Sequence, residues 1–73
     1  MTIDELQRAL YPQMTDRQLR QNRKQMMLDI QQVLGITWAA VWKWDTLNKG
    51  IIPPARAIEL VRYYNLDPQI LVR

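Results

Sequence analysis

The chain has 73 residues, a formal net charge of +3, and neither cysteine nor histidine. This length predicts a single domain with a modest core, and the missing residue types exclude disulfides, thiol chemistry, zinc fingers and histidine-based catalysis. No apolar run approaches the roughly 20 residues of a membrane helix, and no signal-peptide pattern opens the chain. We therefore expect a soluble, intracellular protein.

The first predicted helix is short. Thr2 and Glu5 have the spacing of a capping box, which indicates the start of the helix, and Pro12 ends it. Three apolar side chains recur on one face of this helix: Ile3, Leu6 and Leu10.

A second capping signal, Thr15 with Gln18, opens a polar helix. This helix either continues unbroken to Leu34 or bends within residues 21–24, and the pattern leaves both possibilities open. Its apolar residues are Leu19, Met26, Met27, Ile30, Val33 and Leu34.

A glycine corner and a third helix follow. Gly35 is predicted to adopt the left-handed conformation that ends a helix, and Thr37 to cap the next one. Ala40, Val41 and Trp44 would form the buried face of that helix, which should end near residue 45 or 46. Two helices joined in this way predict a helix-turn-helix motif at about residues 26–46, and such motifs usually bind DNA.

The remaining residues predict a loop over residues 47–53, with Asn48 and Gly50 as turn residues, and then a helix over residues 55–64. The segment 47–52 could alternatively contribute to a two-stranded ribbon. We expect the helix to bury Ile58, Val61 and either Leu60 or Tyr64. The chain should finish with a left-handed Asn65, a short turn opened by Asp67-Pro68, and two core residues, Ile70 and Leu71.

The predicted third helix carries an anomaly. Trp38, Ala39, Trp42 and Lys43 occupy the positions that read the major groove in a DNA-binding helix-turn-helix, where polar side chains are usual. An indole has one donor and no acceptor, so this pair suits a protein surface better than base edges. The alternative is that one or both indoles pack as core against the N-terminal helix.

Four basic residues are clustered in the second helix: Arg17, Arg20, Arg23 and Lys24. Such a cluster suits nucleic acid or an acidic protein face, and the alternative is a solvated helix face.

An enzyme is not expected. The chain has no glycine-rich phosphate loop, nucleophile motif or metal-ligand spacing, so we expect no cofactor, no metal and no small-molecule substrate. Capping and surface pairing account for most of the dispersed acidic residues.

The run GITWAAVWKW, a short loop and the run IPPARAIEL resemble the small Cro-type and prophage repressors over roughly residues 26–66. The matching residues are Gly35, Ala39, Ala40, Val41, Lys43, Trp44, Pro53, Arg56 and Ala57. This resemblance implies an all-α, Cro/lambda-repressor-like helical bundle with an extra N-terminal helix. The chain departs from the family at Gln31, where a small residue is usual, and at Trp38 and Trp42.

The altered reading face, the length and the charge also resemble the small regulators that bacteriophages, among them a phage of Xanthomonas, direct at host RNA polymerase. That resemblance implies binding to the β and β′ subunits in the host bacterial cytoplasm, with initiation inhibited by disturbing the sigma factor and antitermination promoted. The partner-binding residues would be Arg17, Arg20, Arg23, Lys24, Trp38, Trp42 and Lys43, and nascent RNA or DNA is a further possible partner.

The alternative function is a Cro-like repressor that binds operator DNA as a dimer. Lys43 would contact phosphate or guanine, Thr37 would contact phosphate, and Trp38 would contact a thymine methyl group.

Overall fold

The computed structural model describes residues 1–72, and over that range the chain is all-helical and contains no β-strand. The α-helices are α1 (Ile3–Leu10), α2 (Asp16–Leu34), α3 (Trp38–Thr46) and α4 (Pro54–Tyr63), and a 3₁₀ helix follows at Pro68–Val72. The expected all-α class is confirmed.

Both predicted capping boxes are present. The Thr2 hydroxyl accepts a hydrogen bond from the Glu5 amide at 3.1 Å, and the Glu5 carboxylate accepts from the Thr2 amide at 2.9 Å. Thr15 and Gln18 make the same reciprocal pair at 3.2 and 2.8 Å. These bonds satisfy amide groups that have no partner within the helix, so the starts of α1 and α2 are fixed by local sequence.

Helix α2 is the central element of the fold. It runs for 19 residues without a break through residues 21–24, and it contacts α1, α3 and α4. Its buried residues recur with helical spacing: Leu19, Met26, Met27 and Ile30. Because three other helices pack against it, α2 supplies the common wall of the core.

The corner between α2 and α3 has the predicted geometry. Gly35 is left-handed, with φ 64° and ψ 33°, and the amide of Ile36 donates to the carbonyl of Gln31 at 3.2 Å. Thr37 caps α3 by accepting from the amide of Ala40 at 3.3 Å. The corner therefore directs α3 back across α2, with its buried residues Val41 and Trp44 facing the core.

Substituting alanine for Gly35 is expected to destabilise the protein by about 1 kcal/mol, because an L residue with a β-carbon is strained at this positive φ. An added β-carbon would meet no atom within 4 Å, so the cost isolates backbone strain from steric overlap. Thermal unfolding should show a midpoint about 4–8 °C lower. Gly35→Asn is the control and should lose less, since asparagine tolerates the left-handed conformation. An alanine variant as stable as the parent would contradict this account.

The turn after α3 also relies on positive φ angles, which are found at Lys49 (55°) and Gly50 (79°). The Gly50 amide donates to the carbonyl of Trp44 at 2.7 Å, so the chain reverses tightly against the end of α3. Gly50 was expected as a turn residue. The left-handed conformation of Lys49 was not expected.

The segment that could have formed a ribbon makes a single antiparallel bridge, between Thr2 and Ile51. The amide of Ile3 donates to the carbonyl of Gly50 at 2.9 Å. This bridge holds the start of α1 against the turn that follows α3.

Helix α4 corrects one expectation. Its buried residues are Ala57, Leu60 and Val61, whereas Ile58, expected in the core, is 41% exposed. Residues 57, 60 and 61 share one helix face, and Ile58 lies about 100° around the helix from Ala57, which turns it toward solvent.

The C-terminal expectations are confirmed in outline. Asn65 is left-handed with φ 54°, and the Asp67 carboxylate accepts from the amide of Gln69 at 2.9 Å. Ile70 is buried and Leu71 is partly buried, so the 3₁₀ helix covers one end of the core.

Candidate interaction surfaces

The outward face of α3 is opposite its buried residues Val41 and Trp44. Four exposed residues of the helix make up this face: Ala39, Trp42, Lys43 and Thr46. Lys43 is the only charged residue among these four.

The two indoles that were predicted as a pair have different environments. Trp38 is half-buried and packs against the hydrophobic core, whereas Trp42 is 46% exposed on the outward face. Trp38 therefore contributes to packing against the core, and Trp42 is the indole of this pair that remains available for contact.

An apolar hollow continues this surface beyond the end of α3. Leu47, which is 65% exposed, lines it together with Asn48, Lys49, Ile51 and Pro53. Leu47 follows Lys43 by one helical turn, since its amide donates to the Lys43 carbonyl at 2.9 Å. Sequence reasoning missed this hollow, although three large aliphatic residues in the predicted loop 47–53 were a signal for it, and two of them, Leu47 and Ile51, are exposed. We call the outward face of α3 together with Leu47, Lys49 and Ile51 the α3 surface.

The charge of the α3 surface depends on an ion pair behind it. Arg23 of α2 donates from Nε and Nη2 to Oδ1 of Asp45, the acidic residue of α3, at 2.9 and 2.6 Å. The guanidinium also lies against the turn, because a β-carbon added to Gly50 would be 2.9 Å from Nη2. With Asp45 neutralised in this way, Lys43 and Lys49 leave the α3 surface with a positive potential.

The basic cluster of α2 is divided by the fold. Arg17, Arg20 and Lys24 are exposed and share one helix face, since they are spaced three and four residues apart. Arg23 follows Arg20 by three residues at the edge of this face, but it is partly buried and its guanidinium is engaged by Asp45. The structure therefore places three of the four predicted residues together and gives the fourth an interhelical contact.

Two other polar groups connect helices. Arg8 of α1 contacts Asp4 at 2.8 Å and Asp16 of α2 at 3.0 Å, and these hydrogen bonds raise the pKa of the guanidinium above its ordinary value. Gln7 is buried, donates from its side chain to the carbonyl of Leu19 at 3.2 Å, and accepts at Oε1 from the side-chain Nδ2 of Asn22 at 3.1 Å. These contacts join α1 to α2, and they account for the buried Gln7 and for the arginine that follows it in α1.

Thr37, predicted as a possible phosphate contact, is exposed while its hydroxyl caps α3. Beside the C-terminal half of α2, burial raises the pKa of the Tyr64 phenol, and the negative charge of Asp29 adds to the effect. Tyr63 contacts Tyr64 edge to face, with ring centroids 5.0 Å apart.

Within residues 1–72, no group of three or more acidic side chains is arranged to hold a metal ion. The helices of the same range include none that is long and apolar enough to cross a membrane. Comparisons with protein-family models, with curated proteins and with solved structures give no match to this chain.

Proposed function

We propose that this protein is a phage-type transcription regulator that binds host bacterial RNA polymerase through the α3 surface. The fold would be a Cro-like helix-turn-helix with an additional N-terminal helix, in which α2 and α3 form the motif. Following the resemblance described above, the partners would be the β and β′ subunits. Binding would inhibit initiation by disturbing the sigma factor, and it would promote antitermination.

The observation that carries this proposal is the chemistry of the outward face of α3. Base recognition in the major groove relies on amide or guanidinium groups that pair with base edges. This face instead exposes the Trp42 indole, and Leu47 and Ile51 extend the apolar area. Buried aromatic anchors dominate the energy of protein interfaces, so the composition favours a protein partner.

The surrounding charges favour an acidic partner surface. Lys43 and Lys49 flank the apolar residues, and Asp45 is neutralised by Arg23. Positive charge at the rim of an interface accelerates encounter with a negative surface and makes the association rate sensitive to salt. In this arrangement Trp42 and Leu47 would supply affinity, and the two lysines would steer the approach.

The proposal is tested by capturing purified host-type RNA polymerase core with the tagged protein. A gel shift with random and phage DNA is run in parallel at the same salt concentration. Capture of core enzyme without a sequence-specific shift is the expected result. A specific shift without capture would overturn the proposal.

The second candidate function, a Cro-like operator repressor, is supported by a different observation. Thr37 and Lys43 are both exposed along α3, where a phosphate contact and a phosphate or guanine contact would be needed. Trp38 fits the repressor less well, because it packs against the core. The repressor requires a dimer to span two half-sites, so a protein that remains monomeric in analytical ultracentrifugation at high concentration would contradict it.

A further inference from the structure

A second surface lies on the N-terminal half of α2, before the helix-turn-helix motif predicted at about residues 26–46. Arg17, Arg20 and Lys24 follow one another along the exposed face of this helix, and we call these three residues the α2 stripe. Seven residues of α-helix rise about 10 Å, so three positive charges lie in a row over that distance. Among residues 1–72, no acidic group lies within 4.0 Å of the charged nitrogens of the stripe.

The acidic side chains within residues 1–72 make their contacts outside the stripe. The protein has seven Asp and Glu residues, and each contacts a group that is not part of the stripe. The contacts are Asp4 and Asp16 with Arg8, Asp45 with Arg23, Glu59 with Arg56, Glu5 with the amide of Thr2, Asp67 with the amide of Gln69, and Asp29 with Gln25. Four of the seven, Asp4, Asp16, Asp45 and Glu59, pair with arginines outside the stripe, so the three charges of the α2 stripe have no carboxylate partner at short range in the described part of the chain.

The stripe stands on a rigid support. The Thr15–Gln18 capping box fixes the first turn of the helix, which contains Arg17. Leu19, which lies between Arg17 and Arg20 in the sequence, is buried and anchors the same turn in the core. The buried Gln7 holds the same turn of α2 by donating to the carbonyl of Leu19. The backbone that carries the three cations is thus already ordered, which lowers the entropic cost of binding an extended polyanion.

The neighbouring residues distinguish nucleic acid from an acidic protein. A protein interface needs an apolar centre, and this face of α2 offers only one partly exposed aliphatic side chain, Leu28. The other exposed neighbours include the amides Gln21 and Gln32 and, at the start of the helix, Asp16, whose carboxylate pairs with Arg8. Glutamine side chains, like Arg and Lys, donate to phosphate oxygens, and binding to a nucleic-acid backbone requires no apolar contact.

We propose that the α2 stripe binds the phosphodiester backbone of a nucleic acid. The contact is independent of base sequence, and it lies on a different helix from the α3 surface. It does not require the proposed polymerase partner. In a complex with a transcribing polymerase, this small domain would bind the enzyme through the α3 surface and the nucleic acid through the α2 stripe at the same time.

The test is fluorescence anisotropy of a labelled single-stranded RNA and of a duplex DNA, titrated with the full chain at several salt concentrations. The variant Arg17→Gln/Arg20→Gln removes two charges from the stripe. The matched control Arg56→Gln/Arg62→Gln removes two charges from α4, and both variants change the formal charge from +3 to +1. Circular dichroism checks that both variants keep the helical content of the parent.

The stripe variant should bind at least about 10-fold more weakly at low salt, whereas the control should stay close to the parent. The slope of log affinity against log salt should become shallower by about 1.4 for RNA, since each lost phosphate contact contributes about 0.7. Tighter binding of RNA would identify a transcript as the source of the phosphates, and tighter binding of the duplex would identify DNA. Equal losses in the two variants would overturn the proposal, and so would failure of the parent to bind either probe.

Capture of RNA polymerase core, after nuclease treatment, separates this proposal from the proposed function. The stripe variant should retain capture, because Arg17 and Arg20, which only the resemblance assigned to the polymerase contact, belong to α2 and lie outside the α3 surface. Loss of capture together with retained RNA binding would show that the stripe contacts protein, and that result would overturn its assignment to nucleic acid.

Discussion

Replacing Trp42 with alanine is expected to weaken binding to RNA polymerase core about 30-fold, which corresponds to about 2 kcal/mol. The indole is the largest exposed side chain on the outward face of α3, and its removal leaves the apolar contact area without its anchor. Alanine is the best helix former, so α3 should persist. The affinity can be measured by surface-immobilised capture of core enzyme over a range of salt concentrations.

Tyr63→Ala is the matched control for this substitution. Tyr63 is also an exposed aromatic residue, with 66% of its surface accessible, but it belongs to α4 rather than to the α3 surface. Its replacement should leave the affinity within about 2-fold of the parent, since exposed residues outside an interface contribute little to binding. If both variants bound equally well, or if Tyr63→Ala had the larger effect, the α3 surface would not be the docking site.

Replacing Ile30 with alanine is expected to destabilise the fold by about 2–5 kcal/mol. Ile30 has no accessible surface, and it lies in the core cluster on the central helix α2, which contacts three other helices. A core of this size contributes only about 3–5 kcal/mol, so the variant should be partly or wholly unfolded at 37 °C. Urea titration followed by circular dichroism gives the free energy of unfolding of both proteins.

The matched control is the same chemical change at Ile58. This isoleucine is 41% exposed on α4, so its truncation removes less buried surface and leaves no enclosed cavity. We expect a loss below about 1 kcal/mol. A cost at Ile58 equal to that at Ile30 would mean that α4 is packed in the orientation expected from sequence, with Ile58 in the core.

The features that the sequence determined by itself are those that depend on a few consecutive residues. The pairs Thr2–Glu5 and Thr15–Gln18 form capping boxes because each partner lies within reach of the other's amide in the first turn of any helix. Gly35 and Asn65 adopt left-handed conformations that most other residues avoid. The starts of α1 and α2 and the left-handed residues Gly35 and Asn65 were therefore predictable without knowing what packs against them.

Other features were decided by which helices lie side by side, and only the tertiary structure could show them. Trp38 and Trp42 are four residues apart in one helix, yet only Trp38 packs against the core. Arg23 belongs to a basic run in the sequence, but its guanidinium pairs with Asp45, which is 22 positions further along the chain. Its charge is therefore not available together with those of its neighbours. Burial and ion pairing at these positions are long-range contacts, and a local pattern of residue types does not specify the partner across the fold.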